Sequence, residues 1–224
     1  MTTSTFSFTV RVAQDTYDLD QACQVRALSY GHHIPALRES FAEPDGLDFS
    51  ESTATLVCED KVSGMVIGTA RIQTNACGPL LIEQCVDVPP EMALHGRAEI
   101  TRLSVRPGAD LVVKIALWKA AYLYCQAAQA RWMIIGARNE ALVRNYRRLG
   151  FIDLHADGRM VPLTYAGGLP HRVLTLDTYA VERNWGETRN GLYGFFFETH
   201  HPDIRLVERP RLVPRLHAVA RVAA

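Results

Sequence analysis

Two charged residues stand at a spacing that can do chemistry. Glu99 and Arg102 lie three positions apart in the segment E99-I-T-R-L-S-V105. The carboxylate of Glu99 can remove a proton from a nearby amine, directly or through water. In a regular strand these two side chains point to opposite faces, so they share a site only where the strand is bulged. An ordinary ion pair between the two is the structural alternative.

Further charged residues of the first half can line the same site. Together with Arg102 they are Arg26, Asp45, Asp48 and Arg71. Arginines can hold a carboxylate through paired hydrogen bonds, and aspartates can attract an ammonium group. Buried charges need partners, so a purely structural ion network is the alternative interpretation.

The elements that must position these residues alternate between strands and helices. The strand patterns are Thr5–Val12, Ala54–Cys58, Met65–Ile72, Ala98–Val105, Trp132–Ala137, Phe151–His155 and Val173–Tyr179. The helix patterns are Asp18–Gly31, Leu111–Ala130 and Asn139–Leu149, with Asp18 and Asn139 as caps and Gly150 as a stop. Between them, His32–Ser52 and Thr74–Arg97 have the composition of long loops. In the second half, the order β-α-β-α-β-β predicts an α/β or α+β sheet with helical crossovers.

Length and composition predict one domain with an extension. The chain has 224 residues, and 48% of them are hydrophobic, which is enough for a sizeable core. We expect residues 1–180 to form the domain and residues 181–224 to form a C-terminal extension. That segment holds Phe195–Phe197, Pro202, Pro210, Pro214 and five arginines from Arg205 to Arg221. We interpret it as a tail that packs its aromatic residues on the body; a specific binding role is the alternative.

Composition also excludes several classes of protein. No apolar run approaches the ~18 residues of a membrane span. The N-terminal segment MTTSTFSFTV lacks a secretory signal pattern, so we expect a cytoplasmic protein. Five cysteines without CxxC spacing predict buried thiols, and no histidine or cysteine spacing predicts a metal site. The sequence contains no recognisable nucleic-acid-binding module.

Charge is unevenly divided along the chain. Residues 1–110 carry 15 acidic and 8 basic side chains, whereas residues 111–224 carry 9 and 16. This asymmetry favours an acidic partner or ligand for the second half. Scatter of the excess charge over the folded surface is the alternative interpretation.

The segment N139-E-A-L-V-R-N-Y-R-R-L-G-F151 resembles the last motif of the GNAT acyltransferases. Asn139 and Tyr146 are about two helical turns apart, so both lie on one helix face. The resemblance implies that this face looks toward the sulfur of a pantetheine thioester and that Tyr146 protonates the departing thiolate. A capped amphipathic helix with a core tyrosine is the alternative.

The Glu-x-x-Arg strand resembles a GNAT subgroup, the autoinducer (acyl-homoserine-lactone) synthases and the N-acyl amino acid synthases. The charged residues of the first half occur in a similar order in autoinducer synthases, and GPLLIEQ (Gly78–Gln84) resembles the N-acyl amino acid synthases. Together these segments cover most of residues 20–180.

This resemblance implies a mixed central sheet with splayed strands, flanked by helices, and an N-acyltransferase activity. Glu99 is then the general base, and backbone amides at the bulge face the oxyanion. The pantetheine arm of the donor pairs with the splayed strand edges near Leu103 and Val105 and passes Asn139. The acyl-phosphopantetheine thioester is a substrate, and no tightly bound cofactor is expected.

Two departures from these families narrow the expected function. Where acetyl-CoA enzymes have a glycine-rich pyrophosphate cradle, this chain has R106-P-G-A-D-L111, with one glycine, a proline and an aspartate. An acyl carrier protein, which lacks that pyrophosphate, would not need the cradle. Autoinducer synthases have a tryptophan after the first helix, which residues 31–52 lack, and usually lack the tyrosine found here as Tyr146. The missing tryptophan and the presence of Tyr146 both favour acylation of an amino acid or related amine over lactone formation.

Four arginines can dock the carrier protein. They are Arg131, Arg144, Arg147 and Arg148. Their charge would complement an acidic acyl carrier protein, although an ordinary solvated helix face explains them equally well. An autoinducer synthase, an acetyl-CoA-dependent N-acetyltransferase and a catalytically silent GNAT-fold binding module remain alternative functions.

Overall fold

A computed structural model of the chain describes residues 1–35 and 37–206. The prolines and arginines noted beyond residue 206 lie outside the described residues. The strands are β1 Thr2–Thr3, β2 Phe8–Val12, β3 Thr53–Asp60, β4 Val66–Thr74, β5 Gly96–Val105, β6 Ala130–Ala137, β7 Ile152–Asp153, β8 Met160–Leu163, β9 Leu169–Asp177, β10 Thr199–His200 and β11 Ile204–Arg205. The α-helices are α1 Thr16–His33, α2 Leu37–Ser40, α3 Pro90–Ala93, α4 Leu111–Ala127, α5 Glu140–Arg148 and α6 Val181–Glu187.

Within the described residues the main sheet has nine strands. Its order is β11-β2-β3-β4-β5-β6-β9-β7, and β8 pairs with β9 outside this path. Most neighbours are antiparallel, but β5 and β6 are parallel because α4 carries the chain across the sheet between them. The mixed sheet with helical crossovers confirms the predicted fold class.

Alternation along the strands gives the sheet two buried faces. Leu56 and Cys58 of β3 join the main core with Leu117 of α4, whereas Val57 packs on the opposite face with Leu19 of α1. Strand β5 follows the same rule, since Ala98 and Ile100 enter the main core. Glu99 therefore points to the α1 side of the sheet.

The first helix begins three residues earlier than predicted, so the assignment of Asp18 as its cap is wrong. Asp15 is the cap, and its side chain accepts a hydrogen bond from the Asp18 backbone N–H at 2.9 Å. The Asp18 carboxylate instead binds the Arg11 guanidinium of β2 at 2.8 Å. The helix also ends at His33 rather than near Gly31.

The segments predicted as long loops contain short helices. One is α2 with the 3₁₀ helix Gly46–Phe49, and the other includes Asn75–Cys77, Ile82–Gln84 and α3. Strand β8 was not predicted because Pro162 interrupts its pattern. Proline cannot donate a ladder hydrogen bond, and β8 accommodates it by pairing on one side, with β9.

Residues 181–206 pack against the body of the protein. Trp185 and Phe196 are buried in the main core. Strand β10 pairs in parallel with β1, and β11 pairs in parallel with β2. The ammonium of Lys119 on α4 donates to the carbonyl oxygens of Phe195 and Thr199 at 2.8 and 2.6 Å, and its Nζ lies 2.9 Å from His201 Nδ1. These bonds anchor the segment to α4.

Acid is expected to weaken this anchor through His201. Burial, and secondarily the charge of Lys119, lowers the pKa of His201 from 6.5 to about 4. The unfolded chain therefore takes up a proton that the folded protein refuses, so stability falls as the pH drops from 6.5 to about 4. Urea unfolding across this range should show a smaller loss for His201→Gln than for the wild type, with His200→Gln as the control. Equal losses in all three would contradict the prediction.

Two further sequence predictions concern cysteines and membranes. All five cysteines are free, but only Cys23, Cys58 and Cys125 are buried. Cys77 is exposed and Cys85 is half-buried, so the prediction of buried thiols is wrong for these two because they lie in the segment between β4 and β5. In the part of the chain that the structure describes, no helix has the length and apolar character needed to cross a bilayer.

Candidate active site

The two parallel strands in the middle of the sheet pair over only part of their length and then diverge. Strands β5 and β6 pair from Gly96 and Ala130 up to Glu99 and Ile134. Beyond that point β5 stays paired with β4 as far as Val105, and β6 stays paired with β9 as far as Ala137. Among the described residues, the facing edges beyond Glu99 have no strand between them. Their free N–H and C=O groups can pair with an extended ligand, as a sheet edge does.

A bulge in β5 lies directly beyond this fork. Thr69 pairs with Ser104 and Arg71 pairs with Thr101, so β5 has one residue more than β4 between these pairs. The two β5 residues between these pairs are Arg102 and Leu103, and Arg102 has a left-handed φ of +55°. The bulge that Glu99 and Arg102 need in order to share a site is therefore present.

The bulge turns Arg102 toward the same face as Glu99. The Arg102 guanidinium carbon lies 3.9 Å from the centre of the Phe41 ring, and one of its nitrogens lies 3.5 Å from an Asp45 oxygen. Leu103 and Val105 return to the opposite face, where they pack against the main core. Their backbone lies on the free stretch of β5, where the sequence places the donor; that role stays a prediction.

The five charged residues predicted to line the site form one network. Arg26 binds Asp48 through two hydrogen bonds of 2.9 Å. Arg71 contacts both oxygens of Asp45 at 2.7 and 2.8 Å and approaches Asp48 at 3.5 Å. Burial would raise the pKa of Asp48, but the charge of Arg26 and its hydrogen bonds hold that pKa below its usual value. Three guanidinium groups face two carboxylates, which leaves an excess of positive charge.

Exposure divides this network into an inner and an outer part. The side chains of Arg26, Asp48 and Arg71 are at most 2% exposed. Those of Asp45 and Arg102 are 45% and 20% exposed. Burial, and then the neighbouring charge of Arg71, lowers the pKa of Arg102. Only the outer two residues are placed to touch a ligand without rearrangement, and the inner three have the contacts of a structural ion network.

Glu99 stands at the fork and is 1% exposed. One carboxylate oxygen accepts a hydrogen bond from the Ile82 backbone N–H at 3.1 Å, and the other accepts from the Tyr165 hydroxyl at 2.5 Å. Burial raises the pKa of Glu99 even though both hydrogen bonds and the charge of Arg71 lower it. The alternative that Glu99 pairs with Arg102 is wrong, because Arg102 contacts Asp45 and Phe41 instead.

Tyr146 lies on α5 and is buried. As predicted, Asn139 caps that helix by accepting from the Leu142 backbone N–H at 2.9 Å, and Gly150 with φ +83° follows it. The Tyr146 ring packs edge-on against Trp118 at 5.7 Å, in the main core. Burial raises the pKa of its hydroxyl, and Tyr30 of α1 adds to the effect. The predicted roles of Asn139 and Tyr146 in donor binding and protonation stay predictions.

Tyr30 of α1 contributes electrostatically, after burial, to the pKa of both Tyr146 and Arg102. The rings of Tyr30 and Phe41 pack with their centroids 4.4 Å apart, and the Arg102 guanidinium lies over the Phe41 ring. Glu99 and Arg102, predicted to share a site, thus lie on the α1 face, whereas Tyr146, the predicted proton donor, lies in the main core.

The N-terminus of α4 carries a negative charge. Asp110 caps this helix, and its carboxylate accepts from the Val112 backbone N–H at 2.9 Å. Gly108 has a φ of +84°, and Arg106 donates to the Val66 carbonyl rather than facing the helix end. A carboxylate already occupies the place where a pyrophosphate would be bound by helix amides.

The four arginines predicted to dock a carrier protein do not form one group of contacts. Arg144, Arg147 and Arg148 are exposed on α5, and Arg147 pairs with Asp153 at 2.6 Å. Arg131 instead pairs with Asp177 at 2.9 Å. The docking role of all four stays a prediction.

Three residues of the site were not predicted from sequence: Tyr30, Phe41 and Tyr165. Phe41 and Tyr165 lie in segments predicted as connections, and Tyr30 lies near the predicted helix end. Tyr165 is separated from Glu99 by 66 residues. No local pattern marks such a contact, because it depends on how the segment after β8 crosses the sheet.

The sheet that parts between β5 and β6, with helices on both faces, is the GNAT fold. Among solved structures, FeeM, an N-acyl amino acid synthase from uncultured soil microbes, matches with a TM-score of 0.63 at 17% identity, over 84% of this chain and 97% of its own. BjaI, a CoA-dependent acyl-homoserine lactone synthase, matches with a TM-score of 0.55 at 16% identity, over 89% of this chain and 95% of its own. The acyl-homoserine lactone synthase LasI gives 0.54 at 16% identity, over 76% and 90%.

These likenesses are likenesses of fold, and they confirm the resemblance found in the sequence at that level. By sequence, no protein-family model matches the chain, and no curated protein matches it either.

Proposed function

We propose that this protein is an N-acyltransferase that moves an acyl group from a pantetheine thioester to the amino group of an amino acid or related amine. The observation that carries the proposal is the fork in the sheet, with the buried carboxylate of Glu99 at its base and a bulge directly beyond it. The fold of N-acyl amino acid and acyl-homoserine lactone synthases supports it.

The donor lies between the free edges of β5 and β6. Its pantetheine arm pairs with the backbone near Leu103 and Val105, as an added strand does. Backbone amides at the bulge then face the thioester oxygen as it gains charge. One such donor typically contributes on the order of 3 kcal/mol to the transition state.

The acceptor lies on the side of the charged network. Arg102 carries the charge that the network leaves incompletely paired, and it can hold a carboxylate of the acceptor. Asp45 is the more exposed carboxylate and can attract the ammonium group. The buried pair of Arg26 and Asp48 supports this surface from behind.

The reaction then needs two proton transfers. The neutral amine attacks the thioester carbon, a C–N bond forms, and the carbonyl oxygen becomes an oxyanion. Glu99 accepts the proton that the nitrogen loses. The C–S bond breaks as the oxyanion collapses, and Tyr146 gives a proton to the thiolate. Because burial raises the pKa of Tyr146, its hydroxyl carries that proton at neutral pH.

We propose an acyl carrier protein as the donor. The Asp110 carboxylate at the start of α4 opposes the pyrophosphate of CoA, which a carrier protein lacks. The exposed arginines of α5, Arg144 and Arg148 among them, offer positive charge to an acidic partner. Salt that weakens transfer from a carrier protein more than transfer from acyl-CoA would support this docking.

Removing the charge of Asp110 is expected to favour CoA donors. In Asp110→Ser the side chain still caps α4 but no longer repels phosphate. The KM for acyl-CoA should fall roughly two- to fivefold, from ~0.3–1 kcal/mol of helix-terminus electrostatics, while that for the acyl carrier protein stays unchanged. Steady-state kinetics with both donors measures this, with Asp15→Ser at the cap of α1 as the matched control. An unchanged KM for acyl-CoA would contradict the argument.

Product analysis tests the proposed function. The protein is incubated with long-chain acyl carrier thioesters or acyl-CoA and pooled amino acids, with and without S-adenosylmethionine, and products are identified by mass spectrometry. An N-acyl amino acid supports the proposal. A product that requires S-adenosylmethionine would assign lactone synthesis instead, and acetylation from acetyl-CoA would assign a conventional acetyltransferase. No transfer from any donor would favour a silent binding module and overturn the proposal.

A further inference from the structure

We propose that Tyr165 is a catalytic residue that relays the proton from the acceptor amine to Glu99. The proposal rests on the proposed function, because it concerns how the base of that reaction reaches its substrate. The observation behind it is that Glu99, at the base of the fork, is 1% exposed and that the Tyr165 hydroxyl contacts its carboxylate.

Glu99 has little room to touch an amine itself. Glu99 is only 1% exposed. The Ile82 N–H and the Tyr165 hydroxyl occupy one carboxylate oxygen each, at 3.1 and 2.5 Å. A general base must come within hydrogen-bond reach of the proton that it takes, directly or through one intermediate group. For Glu99 that intermediate is Tyr165.

Tyr165 is placed to bridge the fork. It lies in the 3₁₀ turn Thr164–Ala166 between β8 and β9. The β8–β9 ladder continues to the pair Leu163–Leu169, whereas β6 stops pairing with β9 at Ala137 and Arg172. The turn thus lies beyond the end of β6, yet the Tyr165 hydroxyl contacts Glu99 on β5. Its ring is half-buried and packs with the cluster that includes Ile134, the last β6 residue paired with β5.

The hydrogen-bond direction suits a relay. The Tyr165 hydroxyl donates its proton to the Glu99 carboxylate, which leaves the lone pairs of the phenol oxygen free to accept another. As the amine nitrogen forms its bond to the thioester carbon, its proton passes to Tyr165 Oη, and the phenol proton passes to Glu99 Oε1. Tyr165 ends neutral, Glu99 becomes a neutral acid, and the nitrogen loses its positive charge. No other reactant is needed for this step.

Tyr165→Phe separates a relay from a positioning role. A relay predicts a kcat at least about 100-fold lower that is not restored at any pH, because the proton path is cut. A residue that only positions Glu99 would give a rate that recovers at high pH, once the carboxylate is ionised again. Tyr17→Phe, on the exposed side of α1, is the matched control and should leave kcat unchanged. A Tyr165→Phe enzyme with wild-type kcat at high pH overturns the relay.

A second measurement uses the wild-type protein and depends on no variant. The rate of single-turnover transfer is followed in mixtures of H₂O and D₂O. A relay moves two protons in one step, so the rate should depend on the deuterium fraction along a curve; a straight line overturns it. Either result requires that the wild type transfers acyl groups. A wild type that transfers none overturns the proposed function, and the relay with it, whereas an active wild type with a linear dependence removes the relay alone.

Discussion

Replacing Glu99 by glutamine is expected to slow acyl transfer by about 10²–10⁴-fold without unfolding the protein. Glutamine has almost the same shape but cannot take up a proton. It also has one acceptor oxygen where Glu99 uses two, so either the Ile82 N–H or the Tyr165 O–H loses the acceptor of its proton. We expect about 1–3 kcal/mol of lost stability for that reason.

The pH dependence of the wild type gives the same prediction a second measurement. Burial raises the pKa of Glu99, so the acid limb of kcat should lie above the range of an exposed carboxylate. This limb should disappear in Glu99→Gln. Thiol release from an acyl thioester donor measures kcat. Glu91→Gln, at an exposed position of α3, is the matched control. Undiminished transfer in Glu99→Gln would remove Glu99 from the mechanism.

The largest expected effect on stability belongs to Asp48. In Asp48→Asn the Arg26 guanidinium, whose side chain is 2% exposed, keeps its charge and loses its carboxylate. Breaking a buried pair by removing one partner typically costs about 3–5 kcal/mol. The free energy of unfolding, measured with urea, should fall by that amount.

Asp45 provides the matched control because it belongs to the same network but is 45% exposed. Asp45→Asn should cost less stability than Asp48→Asn, because the Asp45 carboxylate is half exposed and the buried Arg71 guanidinium keeps Asp48 as a partner at 3.5 Å. In the active enzyme it should instead raise the KM of the acceptor amine. Equal stability losses in the two variants would show that the inner and outer parts of the network do not differ as their exposure indicates.

Features of the fold that depend on local chemistry were predictable from the sequence. The ends of α5 follow from Asn139 and Gly150, because a side-chain cap and a left-handed glycine act within one helical turn. The predicted start of α1 was wrong by three residues, because a contact from outside the helix decides it. Both Asp15 and Asp18 can cap a helix, and the choice depends on Arg11, which reaches Asp18 from another element.

Predictions about the site also succeed where they depend on local geometry and fail where they depend on distant segments. Strand parity alone shows that Glu99 and Arg102 need a bulge to share a face, and β5 has one. The residue types do not predict that an arginine adopts a φ of +55° there. The partners of Glu99 come from the segment before β5 and from the turn after β8. The sequence could therefore indicate a general base but not the groups that hydrogen-bond to it.

The pairing of the first strands with residues near 200 has a consequence for how the protein is made. The Val10 N–H donates to the Asp203 carbonyl at 2.8 Å, and Phe6 N–H donates to the Asp203 carboxylate across a separation of 197 positions. On the ribosome, the amino-terminal residues are synthesised first, but their last partners emerge only after residue 205 has been added. During synthesis the β2 edge that later pairs with β11 therefore stays unpaired until the end. Chaperones that shield unpaired backbone can act during this interval.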